Sequence, residues 1–496
     1  MKKRFFLTAT CAAMLFNFIL ALSGCGFLNG SGGANDTGNR EITAGDGDTF
    51  AEQIEDFYYN VSGGVYTITG VRVENYTKVI VPAGVSHIES DAFSNGHYMK
   101  SIIIPEGVLS IGERAFENCR SLEELSISDS IVYFEEGLSS SNSHIKYNEY
   151  DNALYLGNEN NPFVVLVRAK SEDITSCKIN SGCKFIFDNA FENCANLQFN
   201  VFDEAYYLGS DDNPYMVLVK AKRLDMVHCD INNNCKFIYA KAFNGCNKMI
   251  VINIPDSVRG LGYRAFGLCM DVEEITFGKG LKGIGISAFG CPKLRNINLP
   301  DGLVYMALWA FLNCSNVVSI NIPATVTKIG QGVIDSPVLS SITVEEANPV
   351  YCMTGDCLIE KSTQMLMLAG QSGVIPDGVV KIGQGVFSDR NIKFIKIPDS
   401  VKTIRTAAFN NCMELETIVI GKGVETIELR AFSSCYKLKK VYFGGDEGRW
   451  NNIEINTADD GNYALGTATV YYYSESQPEG LGNFWHYDEN GNVSEW

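Results

Sequence analysis

The sequence predicts an α/β but β-rich solenoid with rungs of about 23 residues, inserted β-hairpins and terminal caps, and three observations predict it. First, the pairs Ala242-Phe243, Ala265-Phe266, Ala288-Phe289 and Ala310-Phe311, then Val333-Ile334, recur at spacings of 23, 23, 22 and 23 residues. Second, each copy ends in L-x-x-I-x-I, as in Leu294, Ile297 and Leu299 or Val317, Ile320 and Ile322. The last two positions are two apart, so a strand turns both inward. Third, Pro255, Pro300 and Pro323 follow these strands, where proline presets a turn and offers no ladder donor. A unit of this size cannot bury its own apolar edge and is stable only when stacked on neighbours.

From the N-terminus, residues 1–24 carry Lys2-Lys3-Arg4 and an apolar run from Phe5 to Leu22, the layout of a secretory signal peptide. The following Leu22-Ser23-Gly24-Cys25 resembles a bacterial lipobox, which implies cleavage before Cys25 and lipid attachment to its thiol. Residues 25–49 are mostly Gly, Asn, Ser, Thr and Asp with little to bury, and are expected to form a flexible tether. Residues 50–75 return to alternation, as in Val65-Tyr66-Thr67-Ile68, and suit an N-terminal cap over the first open edge.

Rungs run from 76 to 446. Within each, apolar residues three and four apart between the Ile of V-x-x-I and the Cys predict one or two turns of helix. The intervals 115 to 190, 190 to 242 and 333 to 386 exceed whole rungs by 29, 29 and 30 residues. The surplus falls near 146–172, 198–224 and 349–369. In the first two, Ala153-Leu154-Tyr155-Leu156-Gly157 with Asn161-Pro162 matches Ala205-Tyr206-Tyr207-Leu208-Gly209 with Asn213-Pro214; the third copy is weaker. Apolar runs flanking an Asn/Asp/Pro turn predict a β-hairpin. Residues 447–496, with Tyr471-Tyr472-Tyr473 and Phe484-Trp485-His486-Tyr487, are expected to form an aromatic β cap.

The formal charge is -18, and removing Lys2, Lys3 and Arg4 leaves 37 basic against 58 acidic residues. Nucleic acid, bound by Lys and Arg neutralising phosphates, is excluded as the expected partner. Of 16 cysteines, Cys119, Cys194, Cys246, Cys269, Cys291, Cys314, Cys412 and Cys435 hold the repeat's own Cys position. Cys177, Cys183, Cys229 and Cys235 replace apolar rung residues, so these twelve read as buried thiols. Cys352 and Cys357 stand outside the template, and a bridge between them is open. No metal or cofactor is expected. Gly278-Lys279-Gly280-Leu281-Lys282-Gly283 fits G-x-G-x-x-G, but its turn recurs at Gly421-Lys422-Gly423 with no long helix to receive a pyrophosphate. Asp211-Asp212-Asn213 and Asp459-Asp460-Gly461-Asn462 miss the twelve-residue Ca²⁺ loop, and the five histidines form no H-E-x-x-H.

The unit I-P-x-x-V-x-x-I-x-x-x-A-F-x-x-C-x-x-L, whose period lies in the leucine-rich repeat range, resembles the BspA-type subfamily of bacterial leucine-rich repeat surface proteins. That resemblance implies a leucine-rich repeat solenoid, cell-surface display and binding of protein or other surface ligands, with no catalytic site to transfer. The expectation is a lipid-anchored binding protein on the outer face of a bacterial membrane, held by Cys25 and engaging a protein or glycan without catalysis. A structural envelope spacer and a glycan-active enzyme with a site in the tail are the alternatives. Ligand contact is expected on outward strand positions, among them Glu273, Glu274, Arg295, Asn296, Phe394, Lys396 and Tyr442.

Overall fold

The computed structural model describes residues 40–42, 50–72, 75–135, 138, 142–458, 461–480 and 482–496. Cys25, the expected signal peptide and Asp459-Asp460 lie outside the described residues. Each rung contributes two strands to two separate ladders. The long ladder takes the I-x-I strands, such as Ser101–Ile104 beside Glu124–Ile127 and Phe394–Ile397 beside Thr417–Ile420, all parallel. The short ladder takes the V-x-x-I position as two-residue strands: Phe237–Ile238, Gly260–Leu261, Gly283–Ile284, Tyr305–Met306 and Lys328–Ile329 follow one another in parallel.

The remaining side of the rung corrects the expected helix. Ala-Phe to Cys is a pair of tight turns, because in most rungs two residues are left-handed, a conformation no right-handed helix accommodates. The residue before Ala is one (Arg114 φ 54, Arg264 φ 50, Ser287 φ 50, Trp309 φ 54) and the residue before Cys the other (Asn118 φ 58, Leu268 φ 54, Asn313 φ 58, Asn411 φ 61). Asparagine, whose short side chain bonds locally, tolerates that region best. The Phe rings then stack along the axis, with centroids 5.1, 5.5 and 5.0 Å apart from Phe243 through Phe266 and Phe289 to Phe311. Such contacts contribute about 0.5–1.5 kcal/mol each beyond area burial. Four repeat cysteines donate the thiol to the Phe carbonyl one rung back: Cys119 to Phe93 (3.1 Å), Cys269 to Phe243 (3.3 Å), Cys412 to Phe387 (3.1 Å) and Cys435 to Phe409 (3.2 Å). Burial pushes the Cys119 thiol up to about 11 and that of Cys412 to about 12.

All 14 described cysteines are free. Cys352 faces Ile359 across its hairpin and Cys357 faces Thr354, so the two thiols are not cross-strand neighbours and the bridge left open by the sequence is not formed.

The inserted segments are three-stranded antiparallel meanders rather than hairpins of two apolar runs: Asn148–Tyr150, Ala153–Leu156 and Val165–Ala169; Asn200–Phe202, Ala205–Leu208 and Val217–Ala221; and Tyr351–Thr354, Cys357–Glu360 and Met365–Ala369. In each the last strand joins the short ladder in parallel, so the meander replaces part of a rung. At the N-terminal end a helix Phe50–Ile54 precedes the hairpin Phe57–Ser62 and Val65–Val71. Arg40–Ile42, inside the stretch expected to be a tether, forms a strand parallel to Tyr76–Ile80.

Arg40–Trp496 is one compact unit in which the solenoid folds back on itself. The short ladder of the first rungs packs on the short ladder of the middle rungs. Tyr133 stacks on Tyr305 (4.4 Å), Lys328 pairs with Glu89, and the Ser62 hydroxyl donates to the Pro349 carbonyl (3.1 Å). His87, fully buried, bonds Ser110 Oγ through Nδ1 (2.8 Å) and Thr327 Oγ1 through Nε2 (2.9 Å). Burial, with Lys328 adding to it, pushes its imidazole down to about 3. This contact covers the short ladder of the first and middle rungs and leaves their long ladder outermost.

At the other end, Thr469–Tyr473 and Phe484–Tyr487 extend the long ladder in parallel, and Val493–Glu495 closes it antiparallel. Two five-residue helices, Glu447–Asn451 and Tyr463–Thr467, lie between Lys440–Phe443 and the first of these strands.

Candidate functional site

The long ladder is interrupted at two places where the outward strand residues border a cleft. The first lies between Glu274–Thr276 and Asn296–Asn298, which belong to separate sheets. The rung between them is one residue short, Phe289-Gly290-Cys291 against Phe266-Gly267-Leu268-Cys269, and Pro292 brings no N–H. The cleft, about 790 Å³, is lined by Glu273, Glu274, Arg295 and Asn296 together with Lys293 and Asn316. Four of the sequence-predicted residues therefore meet in one place. Lys293 pairs with Asp271 (2.7 Å), and Asn296 accepts from Ser319 Oγ (2.7 Å).

The second cleft, about 830 Å³, lies after the third meander. Its walls are residues 371–377 and 389–396, with Val338 at one end. Phe394 is 51% exposed and Val374 is 65% exposed, an apolar rim unusual for a wet face. Lys396 stands beside them with its ammonium 4.6 Å from the Tyr487 ring, a cation–π contact.

Why the rung opens here is visible in its bonds. Residues 371–375 occupy the place of an I-x-I strand but are held as a bend. Asp356 accepts from Ser372 N (2.8 Å) and Ser372 Oγ (2.6 Å), while Gln371 Nε2 donates to the carbonyls of Pro337 (2.8 Å) and Leu339 (2.9 Å). Below them the buried Arg390 guanidinium donates to the carbonyls of Gly370 and Ala369 and lies over the Phe387 ring. Burial lowers its pKa. Those bonds engage its charged head in holding the end of strand Met365–Ala369.

Tyr442 is the exception among the predicted residues. It is 6% exposed, because the C-terminal strands fold over its side of the ladder. Its ring packs on Tyr471 (5.1 Å) and Trp485 (5.6 Å), and its hydroxyl donates to Glu495 Oε1 (2.5 Å). Trp485 is itself 1% exposed and donates Nε1–H to the Phe443 carbonyl (2.8 Å). The expectation that Tyr442 faces a ligand is corrected: it faces the tail.

A family model described as "BspA type Leucine rich repeat region (6 copies)" matches residues 72–198, 167–209, 222–346 and 369–456. The chain belongs to the BspA-type leucine-rich repeat family. Three solved structures similar to this BspA-type chain are a leucine-rich repeat protein from Bacteroides ovatus (19% identity, 84% of this chain and 98% of that one, TM-score 0.31), one from Eubacterium ventriosum (22%, 56% and 78%, 0.43) and a leucine-rich cell surface protein from Faecalibacterium prausnitzii (20%, 81% and 96%, 0.30). No curated protein matches.

Among the described residues of this BspA-type chain, no group of three or more His, Cys, Asp or Glu side chains could hold a metal ion, and no helix is long and apolar enough to cross a membrane. Residue spacing missed Val374, Gln371, Asp356 and Arg390. The only sequence signal for them is the loss of L-x-x-I-x-I before Ile375-Pro376, where Gln371-Ser372-Gly373-Val374 stands instead.

Proposed function

We propose that this protein is displayed on the outer face of a bacterial membrane, anchored through lipidated Cys25, and binds a protein or glycan along the long-ladder face of its solenoid without doing chemistry. The observation that carries the reading is the division of the two ladders. Over the first and middle rungs the short one is spent on self-contact, whereas the long one is outermost and broken by clefts that expose Phe394, Val374 and the Glu273, Glu274, Arg295 and Asn296 group. Solenoids use extended faces of this kind to bind.

The address and the binding face are tested separately. Labelling cells with a lipid precursor should tag the wild-type chain and not Cys25→Ala. Equal labelling of both sinks the anchor. Panels of proteins and glycans, screened against wild type, Phe394→Ala and a Glu273→Lys, Glu274→Lys double variant, should give a ligand whose affinity drops at least tenfold in one variant. A ligand indifferent to both places the face elsewhere.

A further inference from the structure

We infer that the second cleft is a docking groove for an extended polypeptide, which adds as a strand to the edge Phe394–Ile397. The inference rests on the proposed binding role and narrows it to one partner chemistry. Among the described residues that strand is the first of its sheet and pairs only with Thr417–Ile420. Thr417 N donates to the Lys393 carbonyl and Gly421 N to the Ile397 carbonyl, so residues 393, 395 and 397 spend their backbone groups on the partner strand. In a parallel ladder alternate residues turn both N–H and C=O to the other side. The backbone groups of Phe394 and Lys396 therefore point into the cleft, where no described strand meets them.

The chain itself shows what such an edge takes. An extended backbone carries the ladder into the first two meanders through the single bridges Ser126↔Gly157 and Lys178↔Gly209, and Arg40–Ile42 pairs in the same way at the N-terminal end. Beside Phe394–Ile397 the preceding stretch, 371–375, forms no described bridge to the edge. A row of alternating donors and acceptors at strand spacing is matched in register by another peptide backbone. The exposed side chains of Phe394 and Val374 add a demand for an apolar residue in the bound segment, with Asp377, Asp389 and Lys396 at the margins.

The test uses the full chain, with a displayed library of random heptapeptides and a glycan array as probes. Peptides enriched on wild type should lose at least tenfold more affinity for Lys396→Pro, which removes the edge N–H, than for Lys396→Ala, which keeps it. Val374→Asp, at an exposed position, should also lose about tenfold and guards against a folding defect in the proline variant. Hydrogen exchange of the Phe394 and Lys396 amides in wild type should slow on addition of an enriched peptide. Peptides that bind all three variants equally, or that leave those amides unprotected, overturn the inference while sparing the binding role. Glycans binding in place of peptides do the same. If neither probe binds, both readings fall.

Discussion

The first two meanders and the third start from the same device and end differently. In all three the opening hairpin turns on a left-handed residue: Asp151 (φ 48), Asp203 (φ 46) and Gly355 (φ 61). In the first two, that residue is an aspartate whose carboxylate reaches the next rung and accepts from Lys178 N (2.7 Å) or Asp230 N (2.8 Å). In the third the left-handed position is Gly355, and the aspartate has moved one residue on, to Asp356, where it captures Ser372. The loop before the last strand differs too. Residues 157–164 and 209–216 wind through Asn-Pro, with Asn161 and Asn213 donating to the carbonyls of Gly182 (2.9 Å) and Asn234 (2.8 Å), whereas 361–364 is a short turn. The long loops carry Gly157 and Gly209 to the ladder, where each makes a bridge, and the short loop of the third meander makes none among the described residues.

The largest way to break this comparison is at Gly157 and Gly209. An added Cβ would lie 2.2 Å from the Asn161 carbonyl oxygen and 2.0 Å from that of Asn213, both backbone atoms that cannot swing aside. Gly157→Ala and Gly209→Ala should each cost about 3 kcal/mol or more in urea unfolding, since the loop must be displaced. Lys361 opens the shorter loop of the third copy, half-buried and donating Nζ to the Asn348 carbonyl (2.6 Å), and Lys361→Ala should cost about 1 kcal/mol. Equal costs in all three would mean that the Asn-Pro loop is not what separates them.

Next in size is the pH dependence of what covers the third meander. Pro349 at its entry receives the N-terminal hairpin, and His87 holds the same contact through Thr327. With a folded pKa of about 3 against about 6.5 unfolded, His87 contributes stability that is present above pH 6.5 and is lost as pH falls toward 3. Between pH 7 and pH 4 the loss is roughly 3 kcal/mol. Glu135, in the same crevice, has the opposite sign. Burial and the neighbouring Glu113 raise it to about 8, so its contribution is full below pH 4.5 and fades as pH rises through 8. His87→Gln should flatten the acid limb of a stability–pH curve, and hydrogen exchange at pH 4 should open the third meander of the wild type before the first two. An acid limb unchanged in the variant would remove His87 from the account.

A smaller effect separates three tyrosines. Tyr155 and Tyr207 accept from the N–H of Asn180 (3.3 Å) and Asn232 (3.2 Å) in the following rung. Tyr351 instead accepts from Ile329 N (2.8 Å) in the preceding one. Tyr351→Phe strands a buried amide and should cost about 1–2 kcal/mol, with Tyr155→Phe and Tyr207→Phe nearer about 0.5–1 kcal/mol, read as shifts in the urea midpoint.

The sequence makes the repeat legible because stacking demands the same inward residues at the same offsets, and Ile275, Leu294 and Phe311 are all buried. It misleads between Ala-Phe and Cys, since apolar residues three and four apart describe two consecutive turns as well as one turn of helix. The Asn before Cys at 118, 313 and 411 was the available sign. The outward positions were legible as a face, which brought Glu273, Glu274, Arg295 and Asn296 together. Tyr442 was not, because outward in a rung ceases to mean exposed once a tail crosses it. The contact of His87 with Thr327 left no trace, as a period fixes neighbours along the axis and says nothing of rungs that meet by folding back.

The smallest effect sharpens the comparison most directly, because it acts on the turn residue alone. Gly355 sits at φ +61 with nothing within 4 Å of an added Cβ, so Gly355→Ala has room and only backbone strain to meet. A left-handed L-residue costs about 1 kcal/mol, which should appear as a lower urea midpoint with an unchanged slope. Gly355→Asp should cost less than alanine, since aspartate bonds its own backbone in that region. At Asp151 and Asp203 the balance reverses. Glycine relaxes the same strain but abandons the bond to Lys178 N or Asp230 N, so Asp151→Gly and Asp203→Gly should be neutral to destabilising by about 1 kcal/mol. Were Asp151→Gly to stabilise by the full strain energy, its carboxylate would be idle and the ladder at the first meander would owe its continuity to the Asn-Pro loop alone.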